Sequence, residues 1–262
     1  MSALEAYPGL SGAIVDGAGN RFLLVDLLAG ERPAEPASMA RELGSGLDGL
    51  LLLDRAPSGA LRMVVHNADG SRPEACGNGL RCVALYAHRR GYASEDAFEI
   101  ETDGGTRRAI VSPDALDRAA VSMGPAEVGA ELDLPLPDGT SVRATPVQVG
   151  NPHLVLDRDP LDAAELSRLG PALARHPQFP QGTNVELVAR SGVFLDALVW
   201  ERGVGETAAC GSGACAAAAW AVRRGVATWP VLVRFPGGTV SVFHAEAEET
   251  GLWLAGPVAI CE

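Results

Sequence analysis

Short apolar runs separated by glycine-rich turns dominate the chain, and their lengths set the first reading of its structure. Val15–Leu28, Leu50–Leu53, Arg62–His66 and Phe98–Thr102 are apolar or alternating stretches that read as strands. Val147–Leu156, Val185–Val188 and Val193–Trp200 read the same way in the second half. Two stretches differ. Leu80–Arg90 and Ala214–Arg224 are rich in Ala and Leu and end in Arg-Arg-Gly, with cations in the last turn and glycine at the stop, so they read as helices. The alanines of Ala216–Ala219 suit close packing inside a ring of strands. Two further helices are expected at Ala37–Leu43 and Asp162–Ala174, and Pro125–Pro137 reads as a linker.

The pattern occurs twice. Gly19-Asn20-Arg-Phe-Leu-Leu-Val-Asp26 corresponds to Gly150-Asn151-Pro-His-Leu-Val-Leu-Asp157, and Ala75-Cys76-Gly77-Asn78-Gly79 to Ala209-Cys210-Gly211-Ser212-Gly213. Both cysteine segments run on without a gap to Arg-Arg-Gly. Two matches in the same order at nearly the same offset indicate two similar halves.

Composition narrows the chemistry. The 262 residues carry a net charge of −12, which argues against a nucleic-acid partner, and no apolar run is long enough to cross a bilayer. Met1–Gly9 lacks the basic cluster and apolar stretch of a secretory signal, so a cytoplasmic location is expected. All 21 basic residues are arginine. Without lysine there is no Schiff-base lysine for pyridoxal phosphate and no P-loop. Five cysteines with Cys-x5-Cys and Cys-x4-Cys spacings, and scattered histidines, fit neither a secreted disulfide framework nor a zinc knuckle. No cofactor and no metal are expected.

In both halves a cysteine followed by Gly-x-Gly opens the helix. Glycine lets the backbone approach a ligand, and the unpaired amides of the first turn attract an anion such as a carboxylate. The same field favours thiolate, so Cys76 and Cys210 are expected to titrate below the ordinary range. Two such termini facing one another would hold a substrate carboxylate and place one sulfur on each face of its α-carbon. That geometry suits inversion of a stereocentre, one thiolate removing the α-proton and the opposite thiol returning one. The bland alternative is a pair of small buried apolar residues. It is retained for Cys82, Cys215 and Cys261.

These motifs, with Asn67-Ala-Asp-Gly-Ser, Gly-Asn151-Pro-His153, Gly-Thr-Asn184-Val-Glu and Glu201-Arg202-Gly-Val-Gly-Glu-Thr-Ala-Ala-Cys210, resemble the diaminopimelate epimerase family over nearly the whole chain. The resemblance implies that Cys76 and Cys210 are proton acceptor and donor. Gly77, Asn78, Gly211 and Ser212 would bind the reacting end, and His153 and Glu201 would tune the cysteines or hold the amino group. Asn20, Asn67, Asn151, Asn184 and Arg202 would line the pocket. A planar guanidinium at Arg202 independently suits a second carboxylate. Turn formation by Asn20 and Asn151, a satisfied strand position for His153 and a solvated Glu201–Arg202 pair are the plain alternatives.

The implied activity is interconversion of LL- and meso-2,6-diaminopimelate, in lysine and peptidoglycan-precursor biosynthesis, by a homodimer acting on a small amino-acid substrate. The implied fold is α/β (α+β). It has two pseudo-symmetric halves, each a curved, barrel-like, mostly antiparallel sheet around a central helix, with the site in the cleft between them. Residues 1–122 with a final strand at about 252–262 form one half, and 123–251 the other. Arg21, Gly49 and the early stop at Glu262 depart from the family pattern, which has Asp after the first pocket asparagine and glutamine after the Asp48 position. A hole or a water is therefore expected beside Gly49. A racemase of another amino acid such as histidine, and a non-catalytic binding protein of this fold, are the rival readings. Isomerases of the phenazine-biosynthesis type lack the cysteine pair, and proline racemases carry a different cysteine motif.

Overall fold

Gly17-Ala18-Gly19 breaks the first apolar stretch in two. Ala18 and Gly19 adopt φ of 60° and 88°, and the Asp16 carboxylate accepts from the Gly19 amide at 2.7 Å, closing a tight hairpin. What reads as one strand is thus β1 (Gly12–Gly17) and β2 (Asn20–Asp26), paired antiparallel. In this computed structural model, which describes residues 7–44, 46–74, 76–112, 114, 116–244 and 251–261, the chain continues through α1 (Pro36–Glu42), β3 (Gly49–Arg55), β4 (Leu61–Asn67) and α2 (Gly77–Arg89). Then come β5 (Ala97–Thr102), β6 (Gly105–Ile110) and β7 (Arg118–Gly124).

The same order recurs. After β8 (Glu127–Val128) and β9 (Leu132–Pro135) come β10 (Ser141–Val149) and β11 (Asn151–Asp157), turned at Gly150 with φ of 71°. α3 (Ala163–Ala174), β12 (Asn184–Ser191), β13 (Phe194–Glu201), β14 (Gly205–Thr207) and α4 (Gly211–Arg223) follow. β15 (Val231–Phe235), β16 (Gly238–His244), β17 (Leu252–Pro257) and β18 (Ala259–Cys261) complete the chain. Contacts divide it into one unit of Met1–Ser122 with Ala255–Glu262 and another of Met123–Leu254. Pro125–Pro137 is therefore no free linker: β8 and β9 pair antiparallel with β10, and Leu134 is fully buried beside Val142 and Ala144.

Each unit repeats one pairing scheme. β2 pairs antiparallel with β1 and parallel with β3, which pairs antiparallel with β4. β11 stands in the same relation to β10, β12 and β13. β4 joins β5, and β13 joins β15, by short parallel ladders. β18 returns antiparallel to β1, with Ile14 opposite Cys261.

The strands carry helices on both faces, which explains their unbroken apolar runs. Leu50 and Leu52 of β3 cluster with Met39 and Ala40 of α1, whereas Leu51 lies against the first turn of α2. In the second unit Val185 and Leu187 of β12, and Leu154 and Leu156 of β11, cluster with Leu166, Leu169 and Leu173 of α3. Alternation then turns Glu186, His153 and their period-two neighbours towards the opposite face, that of α4. α2 is buried from Gly77 to Ala87 and α4 from Gly213 to Ala221, as helices enclosed by strands must be. Among the described residues no helix is long and apolar enough to cross a membrane.

Candidate active site

The two helices start at the glycine after each cysteine, three residues earlier than the apolar pattern suggests. Cys76 is the N-cap of α2, extended at φ −137° and ψ 110°, and its Sγ accepts from the Gly79 amide at 3.4 Å. Cys210 caps α4 with nearly the same backbone, φ −133° and ψ 122°, and accepts from Gly213 at 3.4 Å. Each sulfur thus takes the place of the Ser or Asp oxygen usual at an N-cap, and points at the open amides of the first turn.

Around Cys76 two buried amides stand between a buried guanidinium and a carboxylate. Asn78 is buried; its Oδ1 accepts from Arg81 Nη1 at 2.8 Å and its Nδ2 donates to Asn20 Oδ1. Asn20 Nδ2 in turn donates to Asp48 Oδ2 at 3.5 Å. Gly77 is buried in the same turn. The expected set Cys76, Gly77, Asn78 and Asn20 is therefore gathered, with Asp48 and Arg81 added to it. Asn67 stands apart at the end of β4, donating to Ser71 Oγ at 3.0 Å. Cys82, one turn further into α2, is a core thiol that burial pushes up to about 12.

Gly49 lies close against the neighbouring strand. A Cβ there would sit 2.2 Å from the His66 carbonyl oxygen, because β4 approaches β3 closely at this pair. Backbone occupies the space that a side chain at this position would have to enter.

Around Cys210 the groups are charged. His153 and Glu186 are both fully buried, with Nδ1 and Oε1 2.7 Å apart. His153 Nε2 lies 2.9 Å from Asn151 Oδ1, Asn151 Nδ2 donates to Ser212 Oγ at 3.5 Å, and Ser212 Oγ is 3.5 Å from Cys210 Sγ. From β13, Glu201 accepts from Thr207 Oγ1 at 2.6 Å and hydrogen-bonds the Cys210 thiol. Asn184 bridges outward: its Nδ2 donates to Pro152 O at 2.9 Å and its Oδ1 accepts from the Arg202 amide at 2.9 Å. The exposed Arg202 guanidinium rests on Gln181 O at 3.0 Å. Cys210, Gly211, Ser212, Asn151, His153 and Glu201 are thus gathered at one helix terminus, while the hydrogen bonds of Asn184 and Arg202 run to Pro152, Gln181 and each other.

Electrostatics correct one expectation. Cys210 is not lowered. Burial pushes its thiol well above the ordinary range, and the charges of Glu201 and Glu186 push the same way, against the Ser212 and Gly213 hydrogen bonds. A helix terminus contributes only about 0.3–1 kcal/mol, less than the roughly 1.4 kcal/mol of a single pKa unit, so desolvation and two carboxylates outweigh it. Burial also raises the Glu201 carboxyl, with Glu186 adding and the Thr207 and Cys210 hydrogen bonds opposing.

Glu186 is the residue that the motif reading passed over. Its signal was present: a carboxylate inside Asn184-Val-Glu-Leu-Val, on the face opposite Val185 and Leu187. No group of His, Cys, Asp and Glu among the described residues is arranged to hold a metal ion.

Comparison with known proteins places the chain. It is 42% identical to the diaminopimelate epimerase of Desulforudis audaxviator (strain MP104C), over 92% of this chain and 93% of that one. It is 37% identical to that of Desulfitobacterium hafniense, over 93% of each. In fold it is similar to a probable proline racemase from Agrobacterium radiobacter K84, with TM-score 0.73, 17% identity and coverage of 95% of this chain and 90% of that one. A predicted epimerase from Pseudomonas aeruginosa gives TM-score 0.72 and 20% identity, covering 96% and 98%. The family model for diaminopimelate epimerase matches residues 12–129 and 145–260, a span that takes in both cysteine-capped helices, and the chain belongs to that family.

Proposed function

We propose that this protein interconverts LL- and meso-2,6-diaminopimelate by two-base proton transfer between Cys76 and Cys210, without a cofactor, in lysine and peptidoglycan-precursor biosynthesis. The observation that carries the reading is the pair of cysteine N-caps. Two units repeat one topology, and each puts a sulfur at the mouth of an enclosed helix with open amides beside it. Chemistry supplies the rest. Inversion at an α-carbon needs a base on one face and an acid on the other, and a donor set for the carboxylate as it becomes an enediolate. One thiolate takes the α-proton, the C–H electrons move into the carboxylate, and the other thiol returns a proton to the opposite face. The amides of Gly77, Asn78, Gly211 and Ser212 suit the oxyanion. His153 and Glu201 suit the amino group or the tuning of Cys210, and Asn20, Asn67, Asn151, Asn184 and Arg202 the recognition of the substrate.

The environment of Cys210 favours its protonated form, so Cys210 is read as the acid of the resting enzyme. The two units are read as the duplicated halves, with the final strand belonging to the first. A cytoplasmic homodimer completes the reading, and sedimentation of the purified protein tests the dimer.

The decisive experiment is incubation with LL- or meso-diaminopimelate in heavy water without added cofactor. Deuterium enters the α-carbon as the isomers interconvert. Exchange only with another amino acid, such as histidine, overturns the substrate; absence of exchange with any amino acid overturns the reaction.

A further inference from the structure

Glu186 is fully buried in the middle of β12, and an isolated buried carboxylate is expensive unless something compensates it. Only one of its oxygens is hydrogen-bonded: Oε1 meets His153 Nδ1 at 2.7 Å, while Oε2 is buried without a hydrogen-bond partner. A Cβ on Gly213 would lie 2.7 Å from Oε1, so the carboxylate sits directly under the first turn of α4. From it a chain of polar contacts runs through His153, Asn151 and Ser212 to the Cys210 sulfur, with steps of 2.7, 2.9, 3.5 and 3.5 Å.

We propose that Glu186 is the positioning residue of the Cys210 site: it fixes the His153 ring by holding a proton on Nδ1, and through that ring and the first turn of α4 it sets the order of Asn151, Ser212 and Cys210. The inference rests on the proposed function only for its kinetic consequence. Glu186 Oε1 accepts from Nδ1, and Nε2 donates to Asn151 Oδ1, an oxygen that can only accept, so these contacts place a proton on each ring nitrogen. The amide of Asn151 then faces Ser212, and the Ser212 hydroxyl is left to the sulfur. Gly213 matters for the same reason, since any side chain there would displace Oε1. Without Glu186 the ring loses the contact that orients it, and one of the two charges opposing ionisation of Cys210 is gone.

The charged groups facing Cys210 are Glu201 from β13 and Glu186 from β12, with His153 of β11 beyond the latter. Other charges on elements packed against α4 are paired or exposed, Asp157 of β11 and Arg190 of β12 among the exposed ones. Arg143 of β10 pairs with Glu131 at 3.7 Å and Arg234 of β15 with Asp196 at 2.7 Å. His244 of β16 lies against the Trp229 ring, and Glu127 of β8 is exposed.

The test is the near-isosteric Glu186→Gln variant, read in three ways. The kcat for diaminopimelate falls about 10- to 100-fold with KM within about twofold, the signature of lost preorganisation rather than lost binding. In a Cys76→Ala background, the pH of half-maximal Cys210 alkylation by iodoacetamide falls by about one unit when Gln replaces Glu186. In wild-type protein labelled with 15N-histidine, the His153 ring shows a proton on Nδ1, and Glu186→Gln changes that signal. Wild-type kcat together with an unchanged alkylation profile overturns the proposal. So does a wild-type His153 ring protonated at Nε2 alone, a measurement that stands even if the variant fails to fold. The alkylation and ring measurements need no turnover, so a protein that does not act on diaminopimelate fails the functional reading without touching this one.

Discussion

The termini of α2 and α4 have the same backbone and the same sulfur-to-amide bond, yet they present their cysteines to different surroundings. Cys76 is partly exposed beside a chain of Asn78 and Asn20 that ends on Arg81 and Asp48, whereas Cys210 is 6% exposed and faces two carboxylates. The helix field is common to both, so what separates them is local: the depth of each sulfur and the side chains turned towards it. A repeated scaffold therefore supplies the placement of a thiol, and at Cys210 burial first, and then the carboxylates on β13 and β12, disfavour its ionisation.

Four experiments sharpen or break this contrast. The largest effect is expected from removal of either sulfur: Cys76→Ala and Cys210→Ala should each lower epimerisation by about 1,000-fold or more, near the full value of a positioned acid or base. A variant that keeps the wild-type rate would mean that the termini do not act as a pair. Next comes a matched pair of glycines. In Gly213→Ala the new methyl meets the Glu186 carboxylate at 2.7 Å, but in Gly79→Ala it meets the flexible end of Leu51 at 2.9 Å. The first should lower kcat about tenfold or more and the second by less than about threefold, since only the first disturbs aligned polar groups. Equal losses would erase the distinction drawn between the sites.

Smaller again is the titration effect. Removing the charge in Glu201→Gln takes away an interaction that disfavours the Cys210 thiolate, so its alkylation profile should move to lower pH by about one unit. Cys76 alkylation, followed in the same sample by peptide mass spectrometry, serves as the internal reference. A profile that stays in place would assign the whole elevation to burial. The mildest effect concerns stability alone. Gly49→Ala forces a methyl against the His66 carbonyl and should cost about 1–3 kcal/mol, read as a lower midpoint in urea. A neutral result would show that β3 and β4 separate there with ease.

Much of this was legible in the residues. Leu50–Leu53 gave its strand because four consecutive apolar residues suit a strand covered on both faces, and Val185–Val188 gave its own although Glu186 interrupts the apolar run. The Cys-Gly-x-Gly repeats located both helices and both sulfurs. The hairpins at Gly17–Asn20 and Val149–Asn151 were hidden, since apolar residues continue on both sides of a turn of only one or two residues. Pro125–Pro137 misled through its prolines, although Leu132, Leu134 and Leu136 alternate as a strand should. The Cys210 site was read as a list of motif residues, and Glu186 fell outside it because its importance lies in which face of β12 it occupies. Its effect on a neighbour's ionisation depends on depth and distance, which spacing along a chain does not carry.

The unlike pair of cysteine caps has a consequence for the proposed reaction in its two directions. A catalyst leaves the ratio of LL to meso isomer at equilibrium untouched, so unequal sulfurs cannot favour one product. They can only redistribute the barriers, and any gain in turnover one way must be matched by a compensating difference in substrate affinity or turnover the other way. Here a carboxylate on one strand lets forward and reverse kinetics be adjusted separately while their quotient stays fixed.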